Sequence, residues 1–439
     1  MTDDHWTTHV QALLEDDEGR VLVLEDGGNW QLPSVDVEGT WDELRAICAA
    51  LAEVVGIDSI VVRALERRVD EERKVLDIAL LLEPRDPSAI PRSGAAWRDA
   101  VDLDTEALSE RDRSLVERAL ADRPPPERPQ WAQRGWFAEA TAWIEETVGA
   151  CGRMLTAPVE QMSNWCISSI LHAETEEGRV YFKATAPSPL FGDEGTVTRG
   201  LAAMFPGRVP LPIAVDPDRR WMLLDDFGPV VGWAADLETR AAVLSTFARM
   251  QLESTSRQGE LLDLGALERR PAWLASQIES LLRSPDALGL DDDERDRLSA
   301  LEPRFVEMCE RLAAGQVPDA LVHGDLHLSN VAGDSDGYVF FDWTDACLTH
   351  PFLDLLVVLF EEDPELRRSL RDAYLGVWAE VAPEDELLEL WAVAEPLASL
   401  NQAVSYRSII ANVERGTATE LEPMTAVWLR RALVSSQAT

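Results

Sequence analysis

Apolar and polar positions follow two different periods along this chain, and the change of period divides it. HVQALLED (9–16) and RVLVLED (20–26) alternate apolar and polar residues on either side of the turn DDEG, which predicts strands with one buried face. VVRAL (61–65) and VLDIALLLE (75–83) predict further strands. Between them, TWDELRAICAALAEVVGI sets Leu44, Ile47, Cys48, Leu51, Val54 and Val55 at helical spacing, with Thr40 in position to cap and Gly56 to stop the helix. ERDRSLVERAL (110–120) predicts a closing helix. Together these make a modest α+β layer.

The stretch ADRPPPERPQW (121–131) interrupts the pattern, because consecutive prolines cannot continue a helix and favour an extended, semi-rigid spacer. The expected division is a first domain over 1–122 and a linker over 123–135. Strand patterns then return in WCISSILHAET, RVYFKAT and RWMLLDD, which predicts a small β-rich lobe over 136–228. From 229 to 439 the three-to-four spacing of helices dominates, in VLSTFARMQLES, PAWLASQIESLLR and RDRLSALEPRFVEMCERLA. One island breaks that run: LVHGDLHLSNVAGDSDGYVFFDW predicts a strand, a polar loop, and a hairpin turned at DSDG.

Composition changes this picture at three points. A hydrophobic content of 46% supports real cores, yet there is no uninterrupted apolar run long enough to span a bilayer. The acidic opening MTDDHWTTHV lacks the basic and apolar regions of a signal peptide, and the five cysteines form no CxxC pair. A cytoplasmic protein with buried thiols is expected. Forty basic against 80 acidic residues give a net charge of −40, which argues against nucleic acid and anionic membranes as partners. The acids are spread over the whole chain, so they predict a solvated surface before they predict a cationic substrate. Lysine is nearly absent: Lys74 and Lys183 are the only two among 40 basic residues.

The stretch LVHGDLHLSN (321–330) carries the candidate chemistry. His323 and His327 stand four apart, as helical zinc pairs do, but Gly324 and the turn residues argue against a helix and no third ligand lies nearby. Phosphoryl transfer explains more. That chemistry needs a carboxylate to receive or orient the acceptor hydroxyl proton, hard oxygen ligands for magnesium, and a cation on the donor phosphates. Asp325 followed by Asn330 has the H-x-D-x-x-x-x-N spacing of a kinase catalytic loop. YVFFDW then ends an apolar strand on Asp342, and a short hairpin would bring it to Asn330 to share an ion.

HGDLHLSN, then FDW, then THPFLDLLVVL resembles the aminoglycoside phosphotransferase and choline kinase family, over about 150–439. The resemblance implies a bilobal kinase-like fold that phosphorylates hydroxyl groups of small molecules with ATP and Mg2+. It implies Asp325 as the catalytic base, His323 as the brace of the loop, and Asn330 and Asp342 as metal ligands. Asp354 would be structural, anchoring a helix start. His350 departs from the family's aspartate at that position, a place that orders a loop. Lys183, in RVYFKAT, would be the phosphate-binding lysine, with Glu194 as its acidic partner and Asp193 the competing choice. Ser168 and Ser169 would lie in the hairpin covering the phosphates, and Leu224 and Asp225 would form the hinge beside the base. Asp226, Phe227 and Gly228 spell the kinase DFG motif, but nearly a hundred residues too early, and are taken as coincidence. Gln402, Tyr406 and Arg407 could line the acceptor cleft, or simply form the polar face of a helix.

NWQLPSVDVEGTWDELRAICAALAEVVGID resembles a Nudix segment, a family with an α/β/α fold. The spacing from Glu38 to Gly56 fits, but Ser34 and Val35 replace the double glycine, and Ala49, Ala50 and Val54 replace charged residues of the motif. Glu53 alone remains, too few carboxylates to hold magnesium on a diphosphate. The expectation is an α+β chain: a catalytically degenerate Nudix-like domain, then an ATP- and magnesium-dependent small-molecule phosphotransferase. The alternatives are a nucleotide diphosphate hydrolase in the first part, or a non-catalytic nucleotide-binding regulatory protein. Lys74 is expected to be solvated.

Overall fold

The computed structural model describes residues 6–39, 44–100, 103, 108–283, 289–334, 337–354, 356–418 and 421–436. The expected cap Thr40 and the hairpin-turn residues Ser335 and Asp336 lie outside them. The chain forms two compact units, Met1–Ala186 with Val413–Thr417, and Pro187–Asn412 with Ala418–Thr439.

The first unit opens with β1 (Thr7–Leu14), β2 (Arg20–Asp26), β3 (Asn29–Gln31), β4 (Ser34–Glu38), α1 (Leu44–Val55), β5 (Ser59–Asp70), β6 (Val75–Pro84), β7 (Ala95–Asp99) and α2 (Glu110–Ala121). One sheet has the order β4-β1-β6-β5, with β1 parallel to β6 and its other pairs antiparallel. The period-two pattern of β1 and β6 sorts side chains to opposite faces. Val10, Leu14, Ile78 and Leu80 pack with Leu44, Ile47, Leu51 and Val55 of α1. Leu13, Ala79 and Leu81 share a second core with Leu115 and Val116 of α2. The sheet therefore lies between two helices.

The proline-rich stretch is packed down rather than left as a free spacer. Arg128 is buried and forks between Asp122 and Glu414, while Asp122 also receives Arg63. After α3 (Trp136–Ala150) comes the antiparallel meander β8 (Glu160–Asn164), β9 (Ser168–Thr175), β10 (Gly178–Thr185). The Gln161 side chain exchanges hydrogen bonds with the Val61 backbone, and Asn164 donates to the carbonyls of Val61 and Val62. That stitching explains why no compact-unit boundary falls at 122. Two local expectations change. Lys74 sits with its ammonium over the Trp6 ring, 5.2 Å from its centre. Cys151 is exposed, while Cys166, Cys309 and Cys347 are buried; all five thiols are free.

The second unit contains α4 (Glu194–Met204), β11 (Ala214–Asp216), β12 (Trp221–Asp225), α5 (Leu237–Ser254), α6 (Gln258–Asp263), β13 (Leu267–Glu268), α7 (Pro271–Leu282) and α8 (Asp292–Ala314). The island follows as β14 (Ala320–Val322), β15 (Val331–Asp334), β16 (Gly337–Phe340) and β17 (Cys347–Thr349). The unit closes with α9 (Leu356–Leu359), α10 (Pro364–Trp378), α11 (Glu384–Ala411) and α12 (Met424–Ser435). One continuous core joins α4, α5, α7, α8 and α10–α12 around the apolar residues of the island. Polar chemistry on the island is thereby held on a rigid base. Among the described residues, no helix is long and apolar enough to cross a membrane.

Candidate active site

The Asp325 loop runs between β14, wholly buried and paired antiparallel to β17, and the β15–β16 hairpin. Gly324 makes the sharp exit from β14: its φ is +87°, and a Cβ there would lie 2.6 Å from the Asp345 carbonyl oxygen. No side chain fits.

Asp354 grips that turn from below. Its carboxylate accepts the backbone N–H groups of His323 and Gly324, and Leu326 also donates to it. Burial pushes the Asp354 carboxyl up to about 7, with the backbone donors pulling the other way. Above the loop, Nε2 of Gln402 donates to the Gly324 carbonyl at 2.6 Å. His323 is fully buried, and its Nε2 donates to the Phe341 carbonyl at 2.8 Å. Burial holds this imidazole's pKa down, so the ring works as a neutral brace, packed 4.6 Å from the Trp343 ring.

Asp325 itself reaches out, its side chain 42% exposed. His327 Nε2 lies 3.5 Å from it, and His327 stacks on the half-exposed Trp233 ring at 5.9 Å. Burial disfavours charge on His327, but the neighbouring Asp325 carboxylate more than offsets this and raises its pKa. Nδ2 of Asn330 donates to the Asp325 carbonyl at 3.0 Å, a bond that turns the amide back toward its own loop. The hairpin brings Phe341 N–H to the Asn330 carbonyl at 3.1 Å, so Asp342 follows directly on a residue bonded to Asn330. Asp342 has a φ of +67°, uncommon outside glycine, and its Oδ1 lies 2.9 Å from the Thr344 hydroxyl oxygen.

Asp193 and Glu194 separate in role. Asp193 caps α4 by accepting Thr196 N–H, whereas Glu194 is 1% exposed and its Oε2 lies 2.8 Å from the same hydroxyl oxygen of Thr344. Arg220 stands near both acids, and its guanidinium donates to the Gly192 carbonyl. Leu224 and Asp225 close β12. Phe227 of the DFG stretch packs 4.9 Å from the Phe341 ring, and Val231 and Gly232 donate to the Val331 and Leu328 carbonyls. That stretch therefore runs beside the hairpin, although its Asp226 only closes a local turn onto Gly228. In the first unit, Lys183 is buried on β10 opposite Ile170, and Ser168 and Ser169 begin β9 opposite Thr185 and Ala184. The Ser169 hydroxyl donates to the Ser163 carbonyl.

The cleft residues divide as well. Gln402 is buried and occupied with Gly324, and Arg407 donates to Ser280 at 3.1 Å. Tyr406 is largely buried; burial, then the charges of Asp325 and Asp345, push its hydroxyl pKa up. His350 Nδ1 accepts Phe352 N–H at 3.3 Å and caps the short turn Pro351–Leu353. Thr344 and Trp233 escaped sequence reasoning. Thr344 directly follows the DW pair, a signal that could have drawn attention to it; no sequence signal marks Trp233.

Asn330 and Asp342 supply an amide and a carboxylate, the hard oxygen donors that magnesium takes. Among the described residues, no group of three or more His, Cys, Asp or Glu is placed to hold a metal by itself. Two such residues would suit an ion that keeps waters and donor phosphates in its shell.

Residues 176–383 match the model of the phosphotransferase enzyme family, APH. That match, over somewhat less than half of the chain, supports a small-molecule kinase by class. Among solved structures, a choline kinase from Cryptosporidium parvum Iowa II superposes with a TM-score of 0.51 at 10% identity, over 69% of this chain and 96% of that one. The GDP complex of wild-type aminoglycoside 2'-phosphotransferase-IIIa gives 0.51 at 12% identity, over 69% and 100%. At such identities the likeness establishes the shared fold alone. No curated protein matches the sequence.

Proposed function

We propose that this protein transfers the terminal phosphoryl group of ATP to a hydroxyl group of a small molecule. The observation that carries the reading is the Asp325 loop. Asp354, Gln402 and His323 fix its backbone, the Asn330 amide is tied back to the Asp325 carbonyl, and the Asp325 carboxylate reaches out. Asp325 receives or orients the acceptor proton as that oxygen bonds to phosphorus and the bond to the leaving nucleoside diphosphate breaks. Asn330 and Asp342 would hold magnesium, which supplies charge neutralisation on the donor phosphates. Lys183 would add a fixed positive charge there, under Ser168 and Ser169, with Glu194 as its acidic partner and Leu224 and Asp225 beside the base. Tyr406 borders the acceptor side, supported by the influence of the Asp325 charge on it.

For the first part we propose a Nudix-like domain without hydrolase chemistry. Ala49 and Ala50 stand on α1 where charged residues of that motif are expected, and Glu53 is exposed. The test is a panel of hydroxyl compounds (antibiotics, choline-like alcohols, amino acids, sugars) incubated with ATP or GTP and scored for nucleoside diphosphate release. Acceptor-dependent, magnesium-dependent release with ATP supports the reading. A preference for GTP corrects the donor, and no release with any acceptor sinks it.

A further inference from the structure

Thr344 stands between two carboxylates that belong to different parts of the second unit. Its hydroxyl oxygen lies 2.8 Å from Glu194 Oε2 and 2.9 Å from Asp342 Oδ1. Thr344 is 7% exposed and Glu194 1%, so water has little access to take over either contact. A hydroxyl carries one hydrogen. It can donate to one of these oxygens at a time, while at the other, oxygen faces oxygen.

The backbone on both sides of this contact is held in place. Asp342 is held in its left-handed backbone between Phe341, bonded to Asn330, and Trp343, whose Nε1 donates to the Phe340 carbonyl. Glu194 is fixed as the first residue of α4, behind the Asp193 cap and beside the Arg220 guanidinium. A β-branched threonine has few ways to turn its side chain. Rotation about the Cβ–Oγ bond moves the hydrogen from one carboxylate to the other.

We infer that Thr344 is a positioning residue that orients Asp342 for a divalent cation and passes the state of that site to Glu194. With Asp342 bound to a cation, its oxygen no longer needs the hydrogen, which turns to Glu194. The inference rests on the phosphotransferase reading of Asp342. It requires the hydroxyl, not the methyl, of Thr344.

The test measures Mn2+ affinity of the full chain with ATP by electron paramagnetic resonance, alongside steady-state kinetics on the best acceptor. Thr344→Val keeps the shape and removes the hydroxyl. It is expected to weaken Mn2+ binding about tenfold and lower kcat with little change in acceptor KM, as loss of a supporting contact to a metal ligand does. Thr344→Ser is expected to stay within about twofold of the parent. Thr344→Ala, with its fold checked by thermal unfolding, serves if the valine variant does not fold, and should weaken binding equally. Wild-type Mn2+ affinity in the variants lacking the hydroxyl overturns the proposal, as does a serine variant as weak as valine. Asp342→Asn separates the two readings. If it too leaves Mn2+ binding intact, the metal role of Asp342 fails; if it alone abolishes binding, only the role of Thr344 fails.

Discussion

The Asp325 loop and helix α1 have opposite relations between shape and chemistry. In α1, the apolar stripe Leu44, Ile47, Leu51 and Val55 is fully buried and makes the helix, while Glu53 is the one carboxylate within it and is exposed. In the Asp325 loop, the backbone is irregular and every turn is held by a named polar contact, from Asp354, Gln402, His323 or Asn330. A regular helix survives loss of its outward polar residues because burial of one face supplies its stability. The Asp325 loop has no such reserve, since its irregular backbone depends on those polar partners.

The largest expected effect breaks the loop's chemistry. Asp325→Ala should lower kcat for phosphoryl transfer about a thousandfold, measured by nucleoside diphosphate release, with the thermal unfolding midpoint nearly unchanged. Activity near the parent's would remove Asp325 from the site.

Acid should strain the loop's region through His350. Burial drives the His350 pKa down to about 3, below the ordinary value of 6.5. The unfolded chain then binds more protons between those values, so this contribution to stability is complete above about pH 6.5 and is lost as pH falls toward 3. It should amount to about 3 kcal/mol by pH 4. His350→Asn should flatten the acid limb of a denaturant-unfolding series run from pH 7 to 4; an unchanged limb would refute the assignment.

On the α1 side, Leu51→Ala should cost about 3 kcal/mol in urea unfolding through the cavity it leaves, a loss tied to the buried stripe alone. Gln402→Met keeps volume and removes the bond to the Gly324 carbonyl. It should cost about 1 kcal/mol and lower kcat more than it changes donor KM. Smallest of all, Ala50→Glu on the outer face of α1 should shift stability by less than about 0.5 kcal/mol. A much larger shift would mean that this face is occupied.

How much of this was legible follows sequence distance. Asp325, Asn330 and Asp342 could be read together because one loop and one hairpin connect them, and α1 because its period is local. The β15–β16 hairpin lies where DSDG was expected to turn it, flanking residues outside the described set. The asparagine that holds β8 to β5, the glutamine that holds Gly324, and the threonine between Glu194 and Asp342 left no local trace. Their partners lie 78 to 150 residues away. The proline-rich joint was legible only in part, for the same reason. Its extended backbone was readable, but the burial of Arg128 against Glu414, 286 residues on, was not.

By itself, then, the sequence determined the elements and the identity of the candidate chemistry, because periodicity and short spacings are properties of neighbouring residues. Tertiary structure decided the rest: that Glu194, and not Asp193, is the buried acid; that Gln402 serves the loop backbone; and that a single hydroxyl hydrogen is set between two carboxylates. Those outcomes depend on which polar groups are buried together, and burial is fixed only when distant segments pack.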